Sequence, residues 1–310
     1  MAMSALKSRK RREVTSYSDW MSQLPAELHS IHLFKLIIPG SHDSMSYDLD
    51  VNSSIIEPER LKRFSKFCCV RKMVRKWAMT QVNATITNQL DAGVRYFDLR
   101  IARKRNDVNP TRLYFYHGLY TRTDVEVKKE MSEITPKILH PKEILILALS
   151  HFKGFDRKIE KDLHKHLINF TKTLFGAKLF LRTVKIYPEI WSKIPYYYGN
   201  SMNPLEVQSK LRYYLENRVR PSKGEWSRCF FVCGLNLTLP DNARILKYIL
   251  RLCDNFPNVI HRSLPRILQW VKQQAGKIPM NIIASDIATR DQFVPTIVKL
   301  NTSKGAMHEA

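Results

Sequence analysis

The sequence predicts an α/β domain with a mostly parallel sheet, either closed as a barrel or left open. Three observations carry this. Strand-like apolar runs alternate with helical stretches along most of the chain. Ile144 to Leu149 is apolar without alternation, as in a strand covered on both faces of a parallel sheet. Three apolar runs end in residues capable of chemistry: Phe34 to Ser44, Arg95 to Arg100 and Leu113 to Gly118. In α/β folds, function sits where strands end, on rigid backbone below and open space above.

The elements follow in order. Phe34 to Ile38 reads as a buried strand ended by Pro39 and Gly40, delivering His42 and Asp43 on the turn. Tyr47 to Glu59 reads as a loop. Pro58 to Met79 reads as helix. Its second part carries Val70, Met73, Val74 and Trp77 at helical spacing between Arg71, Lys72, Arg75 and Lys76. Such a stretch suits either a membrane surface or an ordinary packed surface helix. Thr87 to Gly93 is a short helix with Gly93 as its stop. Val94 to Ile101 and Leu113 to Tyr116 are strands, and Asp124 to Leu139 is expected to be helical. The strand from Ile144 and a helix over Arg157 to Phe175 come next. After Pro204 a helix runs to about Asn217, then a strand over Cys229 to Leu235. Helices over Asn242 to Cys253 and Leu264 to Gln274 precede a last strand, Met280 to Ser285, with Asp286 at its end. Gln292 to Leu300 closes as a helix. Six strands are clear, and Leu181 to Tyr187 is a candidate seventh. Tyr196 to Tyr198 reads as core packing, with the lip of the site as the alternative. The chain divides into a basic tail (1–16), one domain (17–301) and a short tail (302–310).

The charge narrows the partners. Lys+Arg 51 against Asp+Glu 28 leaves +23 over 310 residues, a surface that attracts polyanions. Anionic lipid headgroups, phosphorylated substrates and nucleic acid all qualify on charge. No helix-turn-helix, zinc-finger or RNP-type pattern occurs, so nucleic acid is not expected as the partner. The cysteines, Cys68, Cys69, Cys229, Cys233 and Cys253, are odd in number and lack C-x-x-C spacing. That argues against a disulfide framework or a zinc site and for a reducing compartment. No signal-peptide-like stretch and no long uninterrupted apolar run occurs. A cytoplasmic protein, peripheral at membranes, is expected. The cluster Lys7, Arg9, Lys10, Arg11 and Arg12 leaves nuclear entry open. Oligomeric state is not legible.

Taken jointly and in order, Pro39-Gly40-Ser41-His42-Asp43-Ser44, the stretch Gln89 to Arg100 and Tyr116-His117-Gly118 resemble the X domain of phosphatidylinositol-specific phospholipase C. The nearest likeness is the small eukaryotic group with that domain and little else. Asp19-Trp20-Met21, Trp191 to Asn200 and Asn281 to Asp286 extend it over about residues 19 to 301. The resemblance implies a distorted (β/α) TIM-type barrel. It also implies cleavage of an inositol phospholipid to diacylglycerol and a cyclic inositol phosphate. By resemblance, His42 is the general base and His117 the general acid, roles that suit imidazole near neutral pH. Asp43 would support His117, and Asp286 would support His42. His151 and Lys153, after the strand from Leu145, stand where substrate contacts are expected. Arg95 is expected to be structural.

Two departures from the family pattern matter. The calcium-dependent branch has Asn where this chain has Asp43, and an acidic residue where it has Arg100. A cation is no calcium ligand. Arg100 is expected to replace the metal, binding phosphate oxygens with its guanidinium, and no cofactor is expected. The connection Gly176 to Glu189 is also too short for the strand that relatives carry there, so an incomplete barrel is expected. This leaves a phosphoinositide-binding protein of weak or no activity as the alternative to an enzyme.

Overall fold

A computed structural model of the chain describes residues 17–104, 107–125, 143–155, 160–175, 194–218, 230–239, 256–290 and 292–304. Eight strands are present among them: β1 (Ile38–Ser41), β2 (Tyr96–Arg103), β3 (Leu113–His117), β4 (Leu119–Asp124), β5 (Ile146–Lys153), β6 (Tyr196–Tyr198), β7 (Val232–Gly234) and β8 (Ile282–Ser285). The helices among them are α1 (Cys68–Ala78), α2 (Ile86–Asp91), α3 (Glu160–Phe175), α4 (Pro204–Arg218), α5 (Phe256–Gln274) and α6 (Phe293–Lys304). Six strands run parallel in the order β6-β7-β8-β1-β2-β5. They make a curled, incomplete barrel with helices packed on it. The hairpin β3–β4 joins antiparallel to the far end of β2.

The central strand β1 differs from the expectation in a way its chemistry explains. Residues 33–35 form a short 3-10 turn, and the strand starts at Ile38 and includes Pro39 and Gly40. Proline in an inner strand leaves a neighbouring carbonyl without its donor. The Pro39 carbonyl accepts from Arg95 N at 2.9 Å, so by the parallel pattern the N–H of residue 39 would point at the Gly93 carbonyl. Trp20 Nε1 donates to that oxygen instead, at 2.9 Å, from a side chain that is fully buried. Gly40 lets β2 approach, because a Cβ there would stand 2.8 Å from the Tyr96 ring.

Other elements hold with revised bounds. The stretch over 58–79 breaks into a 3-10 helix (Glu59–Phe64) and α1. Thr85 caps α2 in a reciprocal capping box with Asn88, and Gly93 ends the turn at φ +99°. The Leu264 helix starts earlier, at Phe256, and the last helix runs on to Lys304. Two strands were not expected. β4 occupies the stretch before the helix predicted from Asp124 and shares only that residue with it, and β6 carries Tyr196 to Tyr198. β5 was expected to be covered on both faces; its residues are half-buried or exposed, and among the described residues its one strand partner is β2. The N-terminal tail, the remainder of the 124–139 helix, the 181–187 candidate strand and the 242–253 helix lie outside the described residues.

The core is continuous through the sheet. Ile37, Ile38, Phe97, Val232, Ile282 and Ile283 are buried at its centre. Arg95 is structural as expected: its Nε meets Glu143 Oε2 at 2.8 Å with both side chains fully buried, and its other donors reach the Leu90, Val94 and Ser18 carbonyls. α6 packs on β1, and α4 packs on β6 and α5.

Candidate active site

The turn after β1 is fixed from several sides. His42 N donates to the Ser285 carbonyl at 3.1 Å, and Gln81 Nε2 donates to the carbonyls of both His42 (2.8 Å) and Ser285 (3.0 Å). Gln81 therefore ties the ends of β1 and β8 together. Asp43 takes a left-handed backbone (φ 46°), a conformation aspartate tolerates better than most residues. Its N–H donates to Asp98 Oδ2 at 3.2 Å. This bend sends the His42 and Asp43 side chains to the same place.

Five predicted residues meet there. His42 Nδ1 lies 2.8 Å from Asp286 Oδ1, at the end of β8. His42 Nε2 lies 3.1 Å from Arg100 Nη2 and 3.3 Å from Asp43 Oδ2. Arg100 Nε lies 2.5 Å from Asp43 Oδ1. His117 Nε2 lies 3.1 Å from Asp43 Oδ2, and its Nδ1 lies 2.6 Å from the Ala78 carbonyl. Asp43 was expected to serve His117 alone. It stands between both histidines and the arginine, fully buried.

Donor chemistry assigns protons to these contacts. A carbonyl only accepts, so His117 Nδ1 carries hydrogen toward Ala78. His117 Nε2 faces Asp43 Oδ2 at ion-pair distance, and neither Asp43 carboxylate oxygen has a hydrogen-bond partner. A guanidinium only donates, so the Arg100 contact at His42 Nε2 needs a lone pair there, with the ring proton on Nδ1 facing Asp286. That is the form a base must hold.

Electrostatics pull His42 the other way. Burial disfavours its imidazolium, but Asp43 and Asp286 outweigh burial and raise its pKa to about 9, with Arg100 opposing them. Burial also works against the Arg100 charge, and Asp43 and Asp98 hold it more firmly protonated than usual. Asp98 is buried, yet Arg100 and His42 keep its carboxyl below the usual range, and Ser150 Oγ donates to it.

The remaining expected contacts fall at the rim. Lys153 Nζ pairs with Glu57 Oε2 at 3.2 Å. His151 has Nδ1 2.9 Å from Ser150 Oγ, and partial desolvation of its ring together with Arg100 lowers its pKa. Glu57 escaped sequence reasoning, while Asp98 stands on the second strand two residues before Arg100 and Tyr196 lies at the site. Asp98 lies 4.0 Å from His42. Burial pushes the Glu57 carboxyl up, and His117, Arg100 and Lys153 bring it below its usual range. Tyr196, expected in the core, tilts its ring 5.6 Å from His42 and donates from its hydroxyl to Asn236 at 3.1 Å.

Ligand atoms of His42, Asp43 and Asp98 lie within 4.8 Å of one another. The set fits calcium poorly. Calcium takes about six to eight oxygens, and here two carboxylates and a ring nitrogen face a guanidinium 2.5 Å from one carboxylate and 3.8 Å from the other.

The fold defines the class. It is that of the bacterial phosphatidylinositol-specific phospholipase C barrel. The enzyme from Listeria monocytogenes aligns with a TM-score of 0.60 at 19% identity, over 92% of this chain and 99% of that one. The F249X mutant of the Staphylococcus aureus enzyme aligns at 0.58 and 18% identity, over 92% and 98%. A comparison with models of known protein families finds no match. Full-length relatives are nearer. PI-PLC X domain-containing protein 1 of Danio rerio is 37% identical over 87% of this chain and 91% of its own length. PI-PLC X domain-containing protein 2 of Mus musculus is 35% identical over 92% and 87%. The chain belongs to the PI-PLC X domain-containing protein family.

Proposed function

We propose that the protein is a metal-independent phosphodiesterase of the phospholipase C type, acting on phosphatidylinositol at a membrane surface by two-histidine acid–base catalysis. The observation that supports this is the buried Asp43, placed within 3.3 Å of His42, 3.1 Å of His117 and 2.5 Å of Arg100. His42 Nε2 takes the proton of the inositol 2-hydroxyl as that oxygen attacks phosphorus. His117 Nε2 gives its proton to the diacylglycerol oxygen as the phosphorus–oxygen bond breaks. The products are diacylglycerol and a 1,2-cyclic inositol phosphate. Arg100 meets the charge on the phosphate oxygens, the task a metal performs elsewhere. Asp286 holds the His42 ring in the tautomer that exposes Nε2. Lys153 and His151 meet inositol hydroxyls at the rim.

One observation favours a second reading, a phosphoinositide-binding protein with little turnover. With Asp43 and Asp286 raising its pKa to about 9, His42 is mostly protonated at pH 7. An imidazolium beside a guanidinium binds phosphate well and accepts no proton. Phosphatidylinositol vesicles separate the two. Catalysis predicts diacylglycerol release by the full chain, lowered about 10²- to 10⁴-fold in each of His42→Ala and His117→Ala. Vesicle binding without release by a folded chain supports binding alone.

A further inference from the structure

We propose that Cys68 and Cys69 are a lipid-modification site, S-acylated by a fatty acyl thioester, which holds α1 and the site at its far end against an anionic membrane. The inference rests on the proposed work at a membrane, and on four observations independent of catalysis.

Both thiols are free, adjacent and exposed, at the first turn of α1. They are not surplus core cysteines; Cys233, by contrast, is fully buried. Beside them Phe67 is 46% exposed, a large apolar side chain facing water with the Lys66 ammonium 5.2 Å from its ring centre. The face they begin is basic. Cys68, Lys72 and Lys76 stand four residues apart on one exposed stripe, and Lys62, Arg63 and Lys66 precede them, also exposed. Arg71 and Arg75 are turned inward, donating to the Val51, Ser65 and Leu49 carbonyls, so the helix is pinned to the domain while its lysines remain outside. Finally, α1 ends at the site. The Ala78 carbonyl is the partner of His117 Nδ1, and Gly118 is closed against Val74 and Ala78. Ten residue steps separate Cys68 from Ala78, about 15 Å along a helix with no glycine or proline.

These features match the physical requirement for reversible anchoring. One acyl chain gives only marginal membrane binding, and a basic patch supplies the second signal. No helix among the described residues is long and apolar enough to cross a membrane. The step balances simply. The cysteine sulfur attacks the thioester carbonyl, the new sulfur–carbon bond replaces the old one, and the cysteine proton leaves on the donor's thiol.

The test uses the full chain expressed in eukaryotic cells, with thioester-linked acyl groups detected by hydroxylamine-dependent thiol capture. The parent should give hydroxylamine-dependent label, and Cys68→Ser/Cys69→Ser should lose it. The single variants should each lose part. The membrane-associated fraction of the double variant should fall about tenfold. Turnover of detergent-solubilised phosphatidylinositol by purified protein should be the same for parent and double variant, which keeps failure here distinct from failure of the catalytic reading. No hydroxylamine-dependent label on the parent, or label that persists in the double variant, would overturn the proposal.

Discussion

At the scale of residues, His42 concentrates the account. Two carboxylates raise its pKa from 6.5 to about 9 against the effect of burial. Between those values the folded protein binds a proton that the unfolded chain does not. Stability from this group is therefore complete below about pH 6.5 and is lost as pH rises through 9. Denaturant midpoints should fall over that range in the parent and fall less in Asp286→Asn. In that variant the imidazole resonances should titrate well below pH 9. If catalysis needs neutral His42, kcat/KM for the parent should climb with pH toward 9, and a titration of His42 near 6.5 in the parent would contradict the electrostatics. The five central residues were legible because each sits in a short motif at the end of an apolar run. Glu57 was not legible, and Tyr196 was legible only as a choice between core and site lip, since nothing local decides it. Glu57 lies in a loop and Tyr196 on a three-residue strand, and only the closing of the sheet brings them to His117 and His42.

At the scale of elements, the buried Arg95–Glu143 pair ties the start of β2 to the segment before β5. Breaking one partner of such a pair costs about 3–5 kcal/mol, so Glu143→Ala should lower unfolding free energy by about that much in urea titration. Thr85→Ala removes the α2 cap, with an expected loss of about 1 kcal/mol. A change of a few tenths in the first would show that the pair is not the tie described. Element reading failed where a local rule met a tertiary exception. Pro39 looked like a strand end because proline removes a donor, and Trp20, nineteen positions earlier, supplies it. The strand β4 lies in a stretch to which no element was assigned, although Leu119 and Thr121 are buried and alternate with more exposed Tyr120 and Arg122. Gly118, at φ +71°, turns the chain between β3 and β4.

At the scale of the whole molecule, the net charge of +23 and the basic outer face of α1 belong to one surface argument. Exposed lysines near an anionic membrane contribute about 1 kcal/mol each and are screened by salt. Binding of unmodified protein to vesicles rich in anionic lipid should fall steeply between low and physiological ionic strength. Lys72→Glu/Lys76→Glu should weaken it further without changing turnover of solubilised substrate. Salt-independent binding would place the attraction elsewhere. The α/β class was legible because strand-end motifs and alternation agree, and the barrel was legible only through the family resemblance. The six-strand parallel sheet has β5 and β6 as its last members among the described residues, and the short Gly176 to Glu189 connection lies outside them.

The most direct measurement is release of diacylglycerol from phosphatidylinositol vesicles by the full chain in excess chelator, with and without added calcium. The account predicts turnover unchanged by either, and a loss of about 10²-fold or more in Arg100→Gln. Turnover abolished by chelator and restored by calcium would contradict it, as would a folded chain that binds the vesicles and releases nothing.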